Sequence, residues 1–437
     1  MLRSAIVTIA FSSSICASPQ QWQEHAIAPA EGYGEGGSVL TGDMDNDGDL
    51  DLLSIENSTA RIVLYRAMGN GEFNPPEVIG IVGPMISGLL DVGNLHGALS
   101  DIDADGDLDV LVYYHATFTS CELRSWINDG SGGFTDAGLA ANFPELFIAS
   151  ELVTADLDGD GDMDVAATKE AYPSARVIWF SNNGSGTFSA PVNLTSATQA
   201  NKEIVLGDFD ADGDPDLITA NSDWNAFTLV RNDGSGVFST QVISADLTPD
   251  VVVLNIVAGQ LDGSPGDDIA YLTSGGGFNL KQIQVKYSSG GGLFSSAVIV
   301  ASTTTTQGMM GLFASDLDGD GDKDIASVED TEYKIVRVEN NGNGTFQTQV
   351  LVDQGYVAIV FDGSLSIADM DGDGSGDIVV DAGHTLSYWH SFGDNWSMVP
   401  RLLSRTMDGS VYLADLDGDG DLDVFGHGYA FEPGGFR

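Results

Sequence analysis

A nine-residue pattern, Asp-x-Asp-x-Asp-Gly-x-x-Asp followed by an apolar run, recurs along this chain and dictates its architecture. Complete copies begin at Asp43, Asp101, Asp156, Asp208, Asp316, Asp369 and Asp415. An eroded copy begins at Gln260, and these eight starts follow one another at intervals of 46 to 58 residues. A steady period over nearly the whole sequence means one supersecondary unit repeated, each copy burying its apolar face against the next. A second pattern, Asn-Asp-Gly-x-Gly-x-Phe, falls between the loops at 128–134, 182–188, 232–238, 288–294 (with Ser288 first) and 340–346. Asn-Gly and Asp-Gly pairs tolerate positive φ and join antiparallel strands. These turns lack the lysine of a phosphate loop, and no helical period follows them.

Each repeat therefore holds four short strands. In the third they are predicted at 152–155, 165–168, 177–180 and 188–192, all rich in β-branched and aromatic residues. Four-stranded units of about 50 residues are the mark of a propeller, whereas solenoid repeats are shorter. The expectation is an all-β, eight-bladed β-propeller with seven blades as the alternative, one domain over residues 19–437. The last repeat ends where its fourth strand should start, and the segment 22–27, Trp-Gln-Glu-His-Ala-Ile, has no blade of its own. Pairing that segment with the C-terminal region near Gly428 and Glu432 would close the ring and hide an open edge.

The chain carries 16 Lys plus Arg against 65 Asp plus Glu, a formal charge of -49. A surface so acidic disfavours nucleic acid and anionic membranes and favours cations. Residues 1–18 read as a secretory leader: Arg3, an apolar run over 5–11, and small residues at Cys16-Ala17-Ser18. Its removal would leave Cys121 as the sole cysteine. The expected location is secreted, periplasmic or cell-surface, the expected state a monomer, and no apolar stretch is long enough for a membrane span.

The loops carry oxygen donors alone, at the spacing a hard cation needs. Carboxylates at positions one, three and five of a tight turn converge, glycine at six permits the turn, position seven offers its carbonyl, and the aspartate at nine closes the shell. The predicted Ca²⁺ ligands are Asp43, Asp45, Asp47, Asp49 and Asp51; Asp101, Asp103, Asp105, Asp107 and Asp109; and Asp156, Asp158, Asp160, Asp162 and Asp164. They continue with Asp208, Asp210, Asp212, Asp214 and Asp216; Asp316, Asp318, Asp320, Asp322 and Asp324; Asp369, Asp371, Asp373, Ser375 and Asp377; and Asp415, Asp417, Asp419, Asp421 and Asp423. That makes about seven sites. An EF-hand would place a glutamate at position twelve, where these loops have Ser54, Val112, Ala167, Thr219, Ser327, Val380 and Gly426. So many adjacent carboxylates repel one another without a counter-ion.

The two patterns together resemble the FG-GAP/VCBS repeat family, related to the N-terminal propeller of integrin α subunits. The resemblance covers roughly residues 22–436 and implies that each loop joins the first and second strands of a blade and binds Ca²⁺. The chain departs from integrins in lacking a clear Gly-Ala-Pro segment, which argues against integrin-style adhesion. The function expected is a calcium-binding module for a protein or glycan ligand, with Tyr65, Trp126, Phe180 and Trp389 as candidate contact aromatics or blade-packing residues. The alternative is a carbohydrate-active enzyme of the polysaccharide-lyase kind, for which basic candidates are Lys169, Arg176, Lys202, Lys281, His96, His115, His384 and His390. No catalytic residue is assigned, and the balance favours binding.

Overall fold

The computed structural model describes residues 4–9, the strands between 364 and 429, and residues 37–352. Within 37–352 it omits 49–50, 57–59, 68–73, 83–94, 118–119, 144–147, 172–173, 197–200, 222–225, 248–250, 276–279, 304–308, 318–319 and 330–333. Among the described residues there is no helix. Six successive four-stranded sheets occupy residues 37–81, 96–143, 148–193, 201–244, 252–303 and 309–352; each is antiparallel with its strands in chain order.

The sequence explains the gradient across each sheet. Second strands start on the ninth loop aspartate and continue as mostly apolar runs. The strand Asp268–Gly275, for example, is buried at every position, as a strand covered on both faces must be. Fourth strands alternate and face solvent: in Ser239–Ser244 only Ile243 is buried. In the third sheet the fourth strand is only Val192–Asn193, later than the predicted 188–192. Pro191 removes a backbone donor from that run, and Phe188, expected to open the strand, is instead buried in the core between the second and third sheets.

First strands of successive sheets lie side by side: Gly37–Gly42 against His96–Ser100, then Ile148–Ala155, Asn201–Gly207, Val252–Gly259 and Met309–Ser315. The series continues into Ser364–Ala368 and Val411–Ala414. Apolar cores fill the spaces between neighbouring sheets. Leu53 and Ile62 meet Val110 and Val112 between the first two, Phe227 and Leu229 meet Tyr271 between the fourth and fifth, and Ala270 and Leu272 meet Ile325 and Val336 between the fifth and sixth. Successive four-stranded antiparallel sheets, with first strands side by side and fourth strands facing solvent, are the blades of a β-propeller.

Beyond residue 352, strands Ser364–Ala368, Asp377–Asp381, Leu386–Trp389 and Arg401–Ser404 pair in the same order. In the last repeat Val411–Ala414 pairs with Asp423–Tyr429. That strand pairs in turn with Ser4–Ile9, Ser4 opposite Tyr429 and Ile9 opposite Val424. The segment 22–27, predicted to fill this place, lies outside the described residues. The strand found against Asp423–Tyr429 belongs to the run that the sequence reading assigns to a leader.

Candidate metal loops

In the six described four-stranded sheets between residues 37 and 352, the loop joins the first strand to the second, at the same end as the hairpin between the third and fourth strands. In the second loop the carboxylate of Asp101 accepts the backbone N–H of Asp105 at 3.2 Å and of Gly106 at 3.0 Å. Asp208 does the same for Asp212 and Gly213, both at 3.1 Å, and Asp43 for Asp47 and Gly48, also at 3.1 Å. The fifth-position carboxylates Asp105, Asp160, Asp212 and Asp320 accept the N–H of position seven, at 3.0, 3.0, 3.1 and 2.9 Å. Gly106 at position six has φ 97°, a conformation open to glycine and strained for other residues. The fourth position also takes a left-handed conformation, at Asn46, Ala104 and Ala211. The sequence pattern leaves position four free and gives no sign of this.

The ninth-position aspartate does more than the spacing predicts. Asp109 is fully buried; one of its oxygens accepts the N–H of Ile102 at 2.9 Å and the other the N–H of Asn128 at 2.8 Å. Asp51, Asp164, Asp216, Asp268 and Asp324 repeat this arrangement, each linking the second loop position to the start of the hairpin turn. The carboxylate therefore joins loop to hairpin within one sheet.

At position three the geometry points to a missing partner. The Oδ1 atoms of Asp45, Asp103, Asp158 and Asp210 are buried and receive no hydrogen bond. A buried, unpaired carboxylate oxygen is strongly unfavourable. Oxygens from Asp43, Asp45 and Asp47, from Asp101, Asp103 and Asp109, from Asp156, Asp158 and Asp164, and from Asp208, Asp210 and Asp216 lie within 4.8 Å of one another in each group. Burial raises the carboxyl of Asp158 to about 6, with Asp164 and Asp160 adding repulsion. It likewise raises Asp103, with Asp105 next in effect, and Asp210, with Asp212 next. Burial also lifts the ninth-position groups, Asp51 and Asp109 to about 6 and Asp216 to about 7, against the lowering by their backbone partners. All-oxygen donors, an unpaired inward oxygen and mutual repulsion fit a hard divalent cation. In the sixth loop Asp316, Asp320, Asp322 and Asp324 are placed but Asp318 is outside the described residues. So are Asp49, the loop residues Asp369, Asp371, Asp373 and Ser375, and Asp415, Asp417, Asp419 and Asp421. Asp377 and Asp423 open strands.

The hairpin asparagines carry a role that the turn pattern does not announce. Asn182 Nδ2 donates to the carbonyl of Ile102, in the preceding repeat's loop, at 2.6 Å, and to Met163 O at 3.2 Å. Asn128 reaches Met44 O at 2.8 Å, and Asn340 reaches Leu261 O at 2.7 Å. Ser288, the substitute, donates through Oγ to Phe209 O at 2.8 Å. The first, second, fourth and fifth loops are thus gripped by the turn of the next sheet, whereas Asn232 donates to Pro215 O of its own repeat at 3.3 Å. The asparagine or serine that opens the turn stands 16 to 20 residues after the ninth aspartate, too variable an offset to announce the contact.

The chain matches the FG-GAP-like repeat model over residues 43–112, 101–167, 156–219 and 316–380, together more than half of its length. The protein belongs to the FG-GAP-like repeat family. A solved lectin of Agrocybe aegerita, described as recognising non-reducing terminal N-acetylglucosamine, is similar to this FG-GAP-like propeller at 20% identity. That match covers 80% of this chain and 90% of the lectin, with a TM-score of 0.55. The Dos1 propeller matches at 11% identity over 90% of this chain and 91% of its own, with a TM-score of 0.49. No curated protein matches the sequence. At this identity the lectin speaks for the fold.

The remaining candidates separate. Tyr65, Trp126 and Phe180 are buried, at 1%, 0% and 1% exposure, so these three take the packing reading and not that of ligand contacts; the side chain of Trp389 lies outside the described residues. Among the basic candidates, His96 and His115 belong to the second sheet, Lys169 and Arg176 face each other across the third, Lys202 is in the fourth and Lys281 in the fifth. Lys281 is buried. His384 and His390 are outside the described residues. Among the described residues no helix is long and apolar enough to cross a membrane.

Proposed function

We propose that this FG-GAP-like propeller is an extracellular, eight-bladed calcium-binding module that presents a loop-covered face to a protein or glycan ligand. The observation that carries the metal reading is the unpaired inward oxygen of Asp45, Asp103, Asp158 and Asp210. Ligands in the intact loops would be the aspartates at positions one, three, five and nine with the carbonyl at seven, and loops outside the described residues would follow the same pattern. A bound Ca²⁺ neutralises these converging carboxylates and fixes the loop backbone. Rigid loops on a packed frame are where propellers place recognition, and the fold shared with a lectin puts glycans first in the search. Among the described residues the basic candidates for a lyase are spread over four sheets, which favours binding over catalysis.

Thermal melting with EDTA and with millimolar Ca²⁺ tests the metal reading. Each site filled at a hundredfold excess over Kd adds about 2.7 kcal/mol, so melting in EDTA is expected far lower. Superimposable curves would remove the calcium role. Glycan and protein arrays, probed with and without Ca²⁺, test the ligand class; binding that ignores Ca²⁺ would separate ligand recognition from the loops.

A further inference from the structure

We propose that Gln260 seals the fifth loop against cations by placing its own side-chain amide where the other loops leave room for an ion. The first position of this loop carries glutamine, the fifth Ser264 and the sixth Pro265, in place of aspartate, aspartate and glycine. The Gln260 Oε1 atom takes over the acceptor work of the missing carboxylate, receiving the N–H of Gly263 at 2.9 Å and of Asp262 at 3.3 Å. In the third loop Asp156 likewise accepts the N–H of the fourth residue, Gly159, at 2.8 Å. The amide nitrogen is the new element. Gln260 Nε2 donates to Ser264 O at 2.6 Å and to Gly266 O at 3.1 Å. Gly266 holds position seven, whose carbonyl is the metal ligand implied for the intact loops. An amide has two N–H donors and uses both here.

The rest of the loop agrees with this reading. Asp262, at the third position, accepts the N–H of Ser264 at 2.8 Å, where its counterparts Asp45, Asp103, Asp158 and Asp210 each keep an unpaired buried oxygen. Ser264 Oγ donates to Ser288 O at 2.5 Å, tying loop to turn. Proline at position six removes the N–H that intact loops direct onto the first carboxylate, and Gln260 has no carboxylate there to receive it. The loop remains clamped on both sides: Asn340 holds Leu261 O, while Asp267 bonds the backbone of Asp208, N–H to O at 2.8 Å and carboxylate to N–H at 3.0 Å. The fifth repeat is therefore a permanently closed joint among joints that await an ion.

This inference rests on the calcium reading, and the experiment separates the two. Amide hydrogen exchange by mass spectrometry is followed on the full chain in EDTA and in millimolar Ca²⁺. Protection at 260–268 is expected to be the same in both, while 101–109 and 156–164 exchange about tenfold or more faster in EDTA. Calcium-dependent protection at 260–268 equal to that of the other loops overturns the proposal. If no loop responds to Ca²⁺, the calcium reading fails, and Gln260 is judged on a variant alone. Gln260→Ala removes four hydrogen bonds and is expected to speed exchange at Asp262 and Gly263 about tenfold whether or not Ca²⁺ is present; unchanged exchange overturns the proposal. Gln260→Glu keeps the shape and removes the donors, so protection at 260–268 is expected to become calcium-dependent; continued indifference to Ca²⁺ also overturns it.

Discussion

Asn182 is the position where the clamp between repeats can be measured most cleanly. Its side chain is buried and makes three hydrogen bonds: Nδ2 to Ile102 O and Met163 O, and Oδ1 from the N–H of Asn183 at 2.8 Å. Truncation in Asn182→Ala removes all three but leaves its backbone N–H on Asp164 and the N–H of Gly186 on Ile102 O. At a net value of about 1 kcal/mol per bond the loss is about 3 kcal/mol. Asn182→Asp should be worse, because it keeps the shape yet sets a carboxylate against two carbonyls and beside Asp164. Asn183→Ala is the control: its exposed side chain bonds only Ser185, so about 0.5 kcal/mol is expected. Denaturant unfolding gives the free energies, and hydrogen exchange gives the location. Faster exchange should appear in the loop at 101–109, across the sheet boundary, and not at 208–216. Equal losses for Asn182→Ala and Asn183→Ala, or exchange changes confined to the third sheet, would refute the clamp.

Four further outcomes follow from the loops and the chain start. Ala104, exposed at φ 61°, should be improved by glycine: relief of about 1–2 kcal/mol of left-handed strain exceeds the entropy glycine adds to the unfolded chain, for a gain of about 0.5–1 kcal/mol in unfolding free energy. The converse Gly159→Ala should destabilise, because the new methyl would meet the carbonyl of Gly234. In EDTA, stability should fall as pH rises. Burial lifts Asp51, Asp109 and Asp268 to about 6 and Asp216 to about 7 in the fold. A carboxyl raised in the folded state stabilises fully below its unfolded value of about 4, and that contribution is lost as pH climbs through the folded value. A melting temperature in EDTA that rises between pH 5 and 8 would contradict this. N-terminal sequencing of the mature protein decides between the two assignments of residues 4–9: a start near Ser18 removes the strand paired with Asp423–Tyr429, and a start at residue 1 or 2 removes the leader.

Much of the fold was legible because repetition multiplies weak signals. A single Asp-x-Asp-x-Asp-Gly is ambiguous with an EF-hand, but the copies at Asp101, Asp156 and Asp208, each followed by an apolar run, fix the first two strands of every sheet. The turn glycines were equally readable, Gly130 and Gly132 both adopting φ near 70°. What the sequence hid is relational. Nothing in the string says that Asn128 bonds Met44 of the previous repeat, 84 residues away, or that the carboxylate of Asp109 spans two backbone segments of its own sheet. Tyr65, Trp126 and Phe180 read more readily as packing than as ligand contacts, and their burial agrees with the packing reading. The short fourth strand of the third sheet was misplaced because Phe188 looked like a strand opener, while Pro191 set the real boundary.

The same nine-residue scaffold also meets its charge problem in different ways around the propeller. The second and third loops bring Asp103 and Asp158 in with no basic side chain in the hairpin beside them, where Ile127 and Ser181 stand. The first and fourth have arginine at that place: Arg66 draws the carboxyl of Asp45 down against burial, and Arg231 lies 3.9 Å from Asp210. Both arginines also grip the next turn, Arg66 through Gly132 O at 2.5 Å and Arg231 through Gly291 O. In the sixth loop the fully buried Arg337 stands 3.5 Å from Asp324, and in the fifth an amide fills the loop outright. A fixed internal cation and a diffusible one neutralise the same carboxylates, so each arginine lowers the gain from binding Ca²⁺ at its own loop. An ensemble of identical sites would empty together on calcium loss and release every clamp at once. If the loops bind Ca²⁺ as proposed, loops graded in this way are expected to give up their ions in sequence, with the fifth loop, filled by the Gln260 amide, still linking its sheet to both neighbours.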